Sequence, residues 1–290
     1  MILFKTAPDL SHHLSFLSAR GLKTGFVPTM GALHQGHLSL IAESIRRADI
    51  TVCSIFVNPT QFNDPVDFEK YPVTIENDIL LLEKSGCDIL FLPSVKEIYP
   101  AGTSPEIHFE LGVLDTILEG SHRPGHFQGV CQVVHRLLDI VKPSQLFLGQ
   151  KDFQQCMVLK LLIQQSGWDI GLTIVPTSRE ETGLAMSSRN SRLSTENKHK
   201  ATAIYRSLAY LQANVTKGNT AGVIASAEKM LLDNGFDTID YVAIANAGTL
   251  EAVTEWDGQT PLVALVAAFI QGVRLIDNMI FPIPVIEHEK

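Results

Sequence analysis

This 290-residue chain is poor in several things, and each scarcity argues against a class of protein. Cysteine occurs only at Cys53, Cys87, Cys131 and Cys156, far apart and with no CxxC pair. That spacing argues against a disulfide frame or a zinc knuckle, and it predicts single buried thiols in a reducing cytoplasm. Basic residues are outnumbered, 23 Lys and Arg against 31 Asp and Glu, for a formal net charge of −8. Proteins that track nucleic-acid backbone need clustered cations, so no nucleic-acid partner is expected. Any anion must instead be held by a local cluster. The longest apolar run, Leu262–Ile270, falls far short of the ~20 residues of a membrane helix. The opening MILFKTAPDLSHH lacks the basic start and apolar run of a signal peptide, so neither membrane insertion nor secretion is expected. Repeats and low-complexity tracts are missing too. What remains is an ordinary globular composition, 45% apolar and 19% charged, long enough for one large domain or two.

Strand-like and helix-like segments alternate up to Val175. Thr24–Val27 reads as a strand and Leu38–Ala48 as a helix. Ile50–Val57 is a continuous β-branched run, the pattern of a strand buried on both faces. Ile75–Lys84 (helix), Asp88–Leu92 (strand), Phe127–Val141 (helix), Gln145–Leu148 (strand), Asp152–Gln165 (helix) and Ile170–Val175 (strand) follow. This order predicts a doubly wound parallel sheet with helices on both faces, and ligands beyond the carboxyl ends of the strands. After Pro176 the alternation stops. Glu196–Val215 and Ala221–Asn234 read as helices, with Ser194 as an N-cap, and Ile239–Ile244, Leu262–Ala268 and Arg274–Ile280 as strands. The expectation is an α/β domain over residues 1–176 and a smaller α+β domain over 177–290.

Five stretches carry candidate chemistry. Met30-Gly-Ala-Leu-His34-Gln-Gly36-His37 lies between a predicted strand and a predicted helix, where unpaired backbone N–H groups and the positive helix end converge. That is an anion site, and both imidazoles can donate to phosphate oxygens. It is not a P-loop, because His37 and Leu38 stand where Lys and Ser/Thr are needed. The plainer reading, two ordinary loop and cap residues, loses ground because of the strand-before, helix-after context. A zinc reading is weaker, since the histidines are three apart with no obvious third ligand. Asn58-Pro59-Thr60-Gln61-Phe62 follows a strand, and the Gln61 amide suits a ligand bearing hydroxyl and carboxylate groups. It reads equally as a proline-directed turn. Gly149-Gln150-Lys151-Asp152 again sits between strand and helix, with Gln155 one turn on. A lysine at a helix start is unfavourable unless an anion binds there, although capping by Asp152 is the simpler alternative. Met186-Ser187-Ser188-Arg189-Asn190 is either a phosphate clamp or a solvated linker. Glu119-Gly-Ser-His122-Arg123-Pro-Gly-His126 reads as an exposed loop before a long helix, with Arg123 available for a phosphate or a subunit contact.

Together and in this order, VPTMGALHQGH, FVNPTQF, EGSHRPGHFQGV, FLGQKDFQQ and LAMSSRNSRLS resemble the pantoate–β-alanine ligase family. HxGH alone indicates only the broader HIGH-motif nucleotidyl-transferring superfamily. The resemblance implies a Rossmann-like domain with a small α+β lid domain, a cytoplasmic homodimer, and Mg²⁺ with ATP as co-substrate. It implies condensation of (R)-pantoate with β-alanine through a pantoyl adenylate, releasing AMP and pyrophosphate. By matching positions, ATP contacts fall to Met30, Gly31, Ala32, Leu33, His34, Gln35, Gly36, His37, Gly149, Gln150, Lys151, Asp152, Ser178, Met186, Ser187, Ser188 and Arg189. Gln61 and Gln155 would hold pantoate, with Gln61 also at the β-alanine entry, and His37 stands at the proton-donor position. His34, His37, Lys151 and Arg189 would be the catalytic set, and Asp78 a candidate for the magnesium neighbourhood. The chain departs from the family's usual YPRT at Val73, where a guanidinium is missing. Two other classes compete with this reading. A nucleotidyltransferase would join AMP to a phosphorylated acceptor and stop there, the discriminator being whether an amine is needed to release AMP. A non-catalytic nucleotide-binding module would bind ATP without releasing pyrophosphate.

Overall fold

The computed structural model describes residues 1–62, 65–104 and 107–281. The chain divides into two compact units, Met1–Ser178 and a second beginning at Arg179.

The first unit is built on six parallel strands: β1 (Ile2–Phe4), β2 (Thr24–Thr29), β3 (Ile50–Ile55), β4 (Ile89–Phe91), β5 (Gln145–Gly149) and β6 (Gly171–Val175). Their order is β1-β4-β3-β2-β5-β6. The helices are α1 (Ala7–Ala19), α2 (Gln35–Arg47), α3 (Pro65–Glu69), α4 (Ile75–Lys84), α5 (Val95–Ile98), α6 (Glu119–His122), α7 (His126–Val141) and α8 (Phe153–Ser166).

Alternate residues of each strand go to opposite faces, and both faces are covered. Phe26, Val52, Leu146 and Leu148 join a core with residues of α1, α7 and α8, including Leu10, Leu14, Leu138 and Leu159. Val27, Cys53, Ile55, Leu90 and Phe147 join a second core with Leu40 and Ile41 of α2 and Leu82 of α4. Helix α2 lies hard against β2 because Gly25 has no side chain; a Cβ there would stand 2.3 Å from Ser44 Oγ. All four cysteines are buried free thiols, as their spacing suggests.

The strand order reverses between β2 and β5, since β3 and β4 lie on one side of β2 and β6 lies beyond β5. A crevice opens at the carboxyl ends of the two strands on either side of such a reversal. The loops that leave β2 and β5 are Met30–His34 and Gly149–Asp152, which places the two anion-site candidates at one switch point.

The second unit packs α9 (Thr195–Ala201), α10 (Ala203–Asn214) and α11 (Ala221–Asp233) with an antiparallel sheet. That sheet runs β11-β10-β8, with β8 at Thr238–Asn246, β10 at Leu262–Ile270 and β11 at Val273–Ile280. A short ribbon pairs β7 (Gly218–Asn219) with β9 (Glu255–Trp256). The helix expected over Glu196–Val215 breaks at Thr202, whose hydroxyl donates to the His199 carbonyl at 2.7 Å. This local side-chain bond competes with the continuing helix. Ser194 is the N-cap of α9, its hydroxyl accepting from Asn197 N at 3.2 Å.

Candidate active site

The loop after β2 is held open by a buried carboxylate. Gly31 (φ +81) and Ala32 (φ +47) both adopt the left-handed region. Asp78, in the first turn of α4 and 0% exposed, accepts from Ala32 N at 2.9 Å, Leu33 N at 2.8 Å and Thr74 Oγ1 at 3.0 Å. Its two oxygens therefore hold an uncommon turn in place. No set of three His, Cys, Asp or Glu able to hold a metal occurs among the described residues. A buried carboxylate already taken by three donors does not fit a resident magnesium ligand, so Asp78 is a support for the loop.

His34 then starts α2 as its N-cap, and the two histidines form a reciprocal capping box. His34 Nδ1 accepts from Gly36 N at 3.1 Å, and His37 Nδ1 accepts from His34 N at 3.3 Å. Serine and glutamate usually divide these roles. Because each Nδ1 accepts, each neutral ring must carry its proton on Nε2. The rings lie 4.1 Å apart, centroid to centroid. Burial, with the Lys151 ammonium nearby, pushes His34 down to about 4. Burial, then His34 and Lys151, pushes His37 down to about 3. Both are neutral N–H donors at neutral pH. Ser39 Oγ, one turn into α2, lies 3.1 Å from Ser178 Oγ, so Ser178 belongs to this end of the first unit.

Lys151 sits in the 3-10 turn Gln150–Asp152, with its Nζ 3.8 Å from the Asp152 carboxylate. Asp152 precedes α8 but makes no capping bond with its side chain, so the simple capping alternative is not what the sequence encodes. The adjacent glutamines part ways. Gln154 is 2% exposed and clamps the preceding loop, accepting from Glu119 N and donating to Leu114 O and Ile117 O. Gln155 is half-buried, and its amide makes no hydrogen bond to another described residue.

Gln61 comes to the β2 loop from the next strand over. Its Nε2 lies 3.0 Å from Met30 Sδ and its Oε1 3.2 Å from Asn58 Nδ2. Asn58, 1% exposed, anchors the turn by accepting from Tyr99 Oη at 2.7 Å and donating to Gly129 O at 3.1 Å. The stretch Glu119–His126 departs only in part from its expected reading as an exposed loop. Ser121, His122, Pro124 and Gly125 are exposed, but the stretch contains α6, and both Glu119 and His126 are buried.

The MSSRN stretch lies in the second unit. Ser187 caps the 3-10 turn Ser188–Arg192, accepting from Arg189 N at 3.3 Å. Met186, Ser187, Ser188 and Arg189 are half-buried, whereas Asn190 is buried and donates to Ala185 O at 3.0 Å. The base of this segment is pinned by Arg179, which pairs bidentately with buried Asp277 at 2.5 and 3.1 Å and stacks on Tyr205 at 4.7 Å. It is an ordered turn on its own unit rather than a solvated linker. Val73 is 70% exposed, so its side chain supports no packing within the chain.

The sequence alone assigns no role to Asn58 or Tyr99, and no support role to Asp78. Asn58 before Pro59 carries a local cap signal; Tyr99 and Asp78 act through contacts distant in sequence and leave none.

A parallel α/β unit whose switch point gathers paired imidazoles and a nearby lysine has the layout of a nucleotide-using protein. The sequence model of the pantoate-beta-alanine ligase family matches residues 2–280, and the chain belongs to that family. A pantothenate synthetase of Cytophaga hutchinsonii is 45% identical over 283 residues, 97% of this chain and 99% of that protein. One from Bacteroides fragilis is 41% identical over 279 residues, 96% of this chain and 98% of that protein. The crystal structure of the Thermus thermophilus pantothenate synthetase superposes with a TM-score of 0.89 at 38% identity, covering 97% of this chain and all of that one. That of Francisella tularensis pantoate-beta-alanine ligase, complexed with beta-gamma ATP and beta-alanine, superposes at 0.82 with 36% identity, covering 97% of each chain. The chain is accordingly an ATP-dependent ligase that joins pantoate to β-alanine. No helix among the described residues is long and apolar enough to cross a membrane.

Proposed function

We propose that the condensation runs through a pantoyl adenylate formed in the switch-point crevice. An oxygen of the pantoate carboxylate attacks the α-phosphorus of ATP, and pyrophosphate leaves. The β-alanine amine then attacks the acyl carbon, the bond from that carbon to the bridging oxygen breaks, and AMP departs carrying the oxygen. A carboxylate is a poor electrophile, and the mixed anhydride supplies its leaving group.

The observation that carries this reading is the pair of neutral imidazoles at the start of α2, within electrostatic reach of Lys151. Negative charge spreads over the phosphate oxygens in the transition state, and donors already in place stabilise it without reorganisation. His34 and His37 supply Nε2–H donors and Lys151 supplies charge. His37 is the proton donor in the sense of a hydrogen-bond donor, since its ring is neutral before substrate binds. ATP contacts in the first unit span Met30–His37, Gly149–Asp152 and Ser178, and the second unit carries its own candidates for ATP contact, Met186, Ser187, Ser188 and Arg189. Gln61 and Gln155 hold pantoate, and Gln61 also borders the β-alanine entry. Mg²⁺ arrives with ATP, as part of the substrate. The enzyme works in the cytoplasm as a homodimer paired through the first unit.

The test is exchange of labelled pyrophosphate into ATP with pantoate and Mg²⁺ but no β-alanine. Pantoate-dependent exchange is expected. Exchange that appears only when an amine is added would overturn the adenylate, and pantoate-independent pyrophosphate release would favour a different acceptor.

A further inference from the structure

We infer that His126 is a positioning residue for Gln61, holding the Gln61 backbone carbonyl and so setting where the Gln61 amide stands. The inference rests on the reading of Gln61 as a substrate-holding residue.

Gly125 (φ +79) turns the chain into α7, and His126 opens that helix 5% exposed. Its Nδ1 lies 2.8 Å from Gln61 O, and its Nε2 lies 3.1 Å from Arg123 Nη1. A guanidinium nitrogen can only donate, so Nε2 is the acceptor and the ring proton resides on Nδ1. That proton is given to the Gln61 carbonyl. Arg123 is itself 3.6 Å from the Glu119 carboxylate, and its Nη2 reaches Gln61 O at 3.5 Å. Burial and the Arg123 cation push His126 down to about 4, against the opposing pull of Glu119 and Asp152. The ring is therefore neutral in the working range, with the tautomer opposite to that of His34 and His37.

The same helix meets the other side of the turn. A Cβ at Gly129 would stand 2.3 Å from Thr60 O, so Gly129 allows α7 to touch the Pro59–Gln61 backbone directly. Gly129 O in turn accepts from Asn58 Nδ2. Backbone contact, carbonyl brace and the Met30 contact with the side chain together hold Gln61 where it stands. Neither His126 nor Arg123 needs to touch substrate for this. Buried His126, at the end of the EGSHRPGH segment, thereby has a task that an exposed loop residue would not have.

The test uses the full-length chain with His126→Asn, His126→Gln and His126→Ala. Asparagine can place an N–H where Nδ1 stands, whereas glutamine reaches toward the Nε2 position. In pantoate-dependent pyrophosphate exchange, H126Q and H126A are expected to raise the pantoate KM about tenfold, the scale of one net hydrogen bond, with the ATP KM unchanged. H126N should restore the pantoate KM to within about threefold of wild type, since it retains that bond. Equal losses for both substrates, or an H126N no better than H126Q, would overturn the brace. Imidazole ¹⁵N spectra of the ligand-free wild type supply a readout that needs neither activity nor a folded variant. A neutral Nδ1–H tautomer at His126 is expected, and an Nε2–H tautomer contradicts the assignment. If the wild type shows no exchange, the reading of Gln61 and the reaction fails, and the tautomer still decides whether the brace exists.

Discussion

Replacing Asp78 separates a loop support from a metal ligand. Its carboxylate receives Ala32 N and Leu33 N at 2.9 and 2.8 Å in a fully buried setting. Hydrogen bonds to a charged partner contribute about 1.5–3 kcal/mol each, so the two amides account for about 3–6 kcal/mol. They also offset the left-handed backbone of Ala32, which costs about 1–2 kcal/mol for a residue with a Cβ. Asp78→Ala should therefore lower the stability of the first unit by about 3–6 kcal/mol, a large part of the 5–15 kcal/mol typical of a domain. Asp78→Asn retains one acceptor oxygen and should lose about half as much. Urea unfolding in a Trp256→Phe background isolates the signal of Trp168, which lies in the first unit. Pyrophosphate exchange should fall in both variants with an unchanged Mg²⁺ concentration dependence, because the loop and not the ion is disturbed. Wild-type stability in Asp78→Ala, with activity recovered by raising Mg²⁺, would refute the reasoning.

Lys151→Ala should lose about 10²–10³ in turnover, the usual effect of deleting one charge-stabilising donor, and wild-type kcat would remove Lys151 from the catalytic set. The same variant should raise the titration midpoints of His34 and His37 in imidazole NMR, because the Lys151 cation helps hold both down. The protein should lose stability on acidification. His34 and His126 titrate at about 4 and His37 at about 3 in the folded chain, below the ordinary histidine value of 6.5. Below pH 6.5 the unfolded chain binds protons that the folded one refuses, so stability falls with pH from there down through the folded values. Thermal melts between pH 7 and pH 4 check this, and a flat profile contradicts the buried neutral rings. Gly129→Ala should weaken pantoate binding and spare ATP binding, because its Cβ would push on Thr60 O at 2.3 Å; calorimetry with each substrate separates the two.

Much of the architecture was legible because the parallel sheet is buried on both faces. Ile50–Val57 and Gln145–Leu148 are largely apolar, and the helix at Ile75–Lys84 has the bounds expected for it. The first strand and helix, Ile2–Phe4 and Ala7–Ala19, were not; the strand is three residues long and the helix carries two histidines and four serines or prolines among its apolar positions. Motif spacing placed His34, His37, Lys151 and Gln61 at the carboxyl ends of their strands. Their supports were not legible. Asp78 reaches a loop 45 residues upstream, and His126 bonds a carbonyl 65 residues away, and such pairings leave no local pattern. Adjacent Gln154 and Gln155 show the same limit, since only packing decides which one clamps a loop and which stays half-buried.

The adenylate is the central claim, and oxygen transfer tests it most directly. Pantoate labelled with ¹⁸O in its carboxylate is turned over with Mg²⁺–ATP and β-alanine, and the products are weighed by mass spectrometry. One labelled oxygen should appear in AMP, because the bond broken in the second step leaves that oxygen on phosphorus. Unlabelled AMP, or ADP and labelled phosphate in its place, would contradict the account.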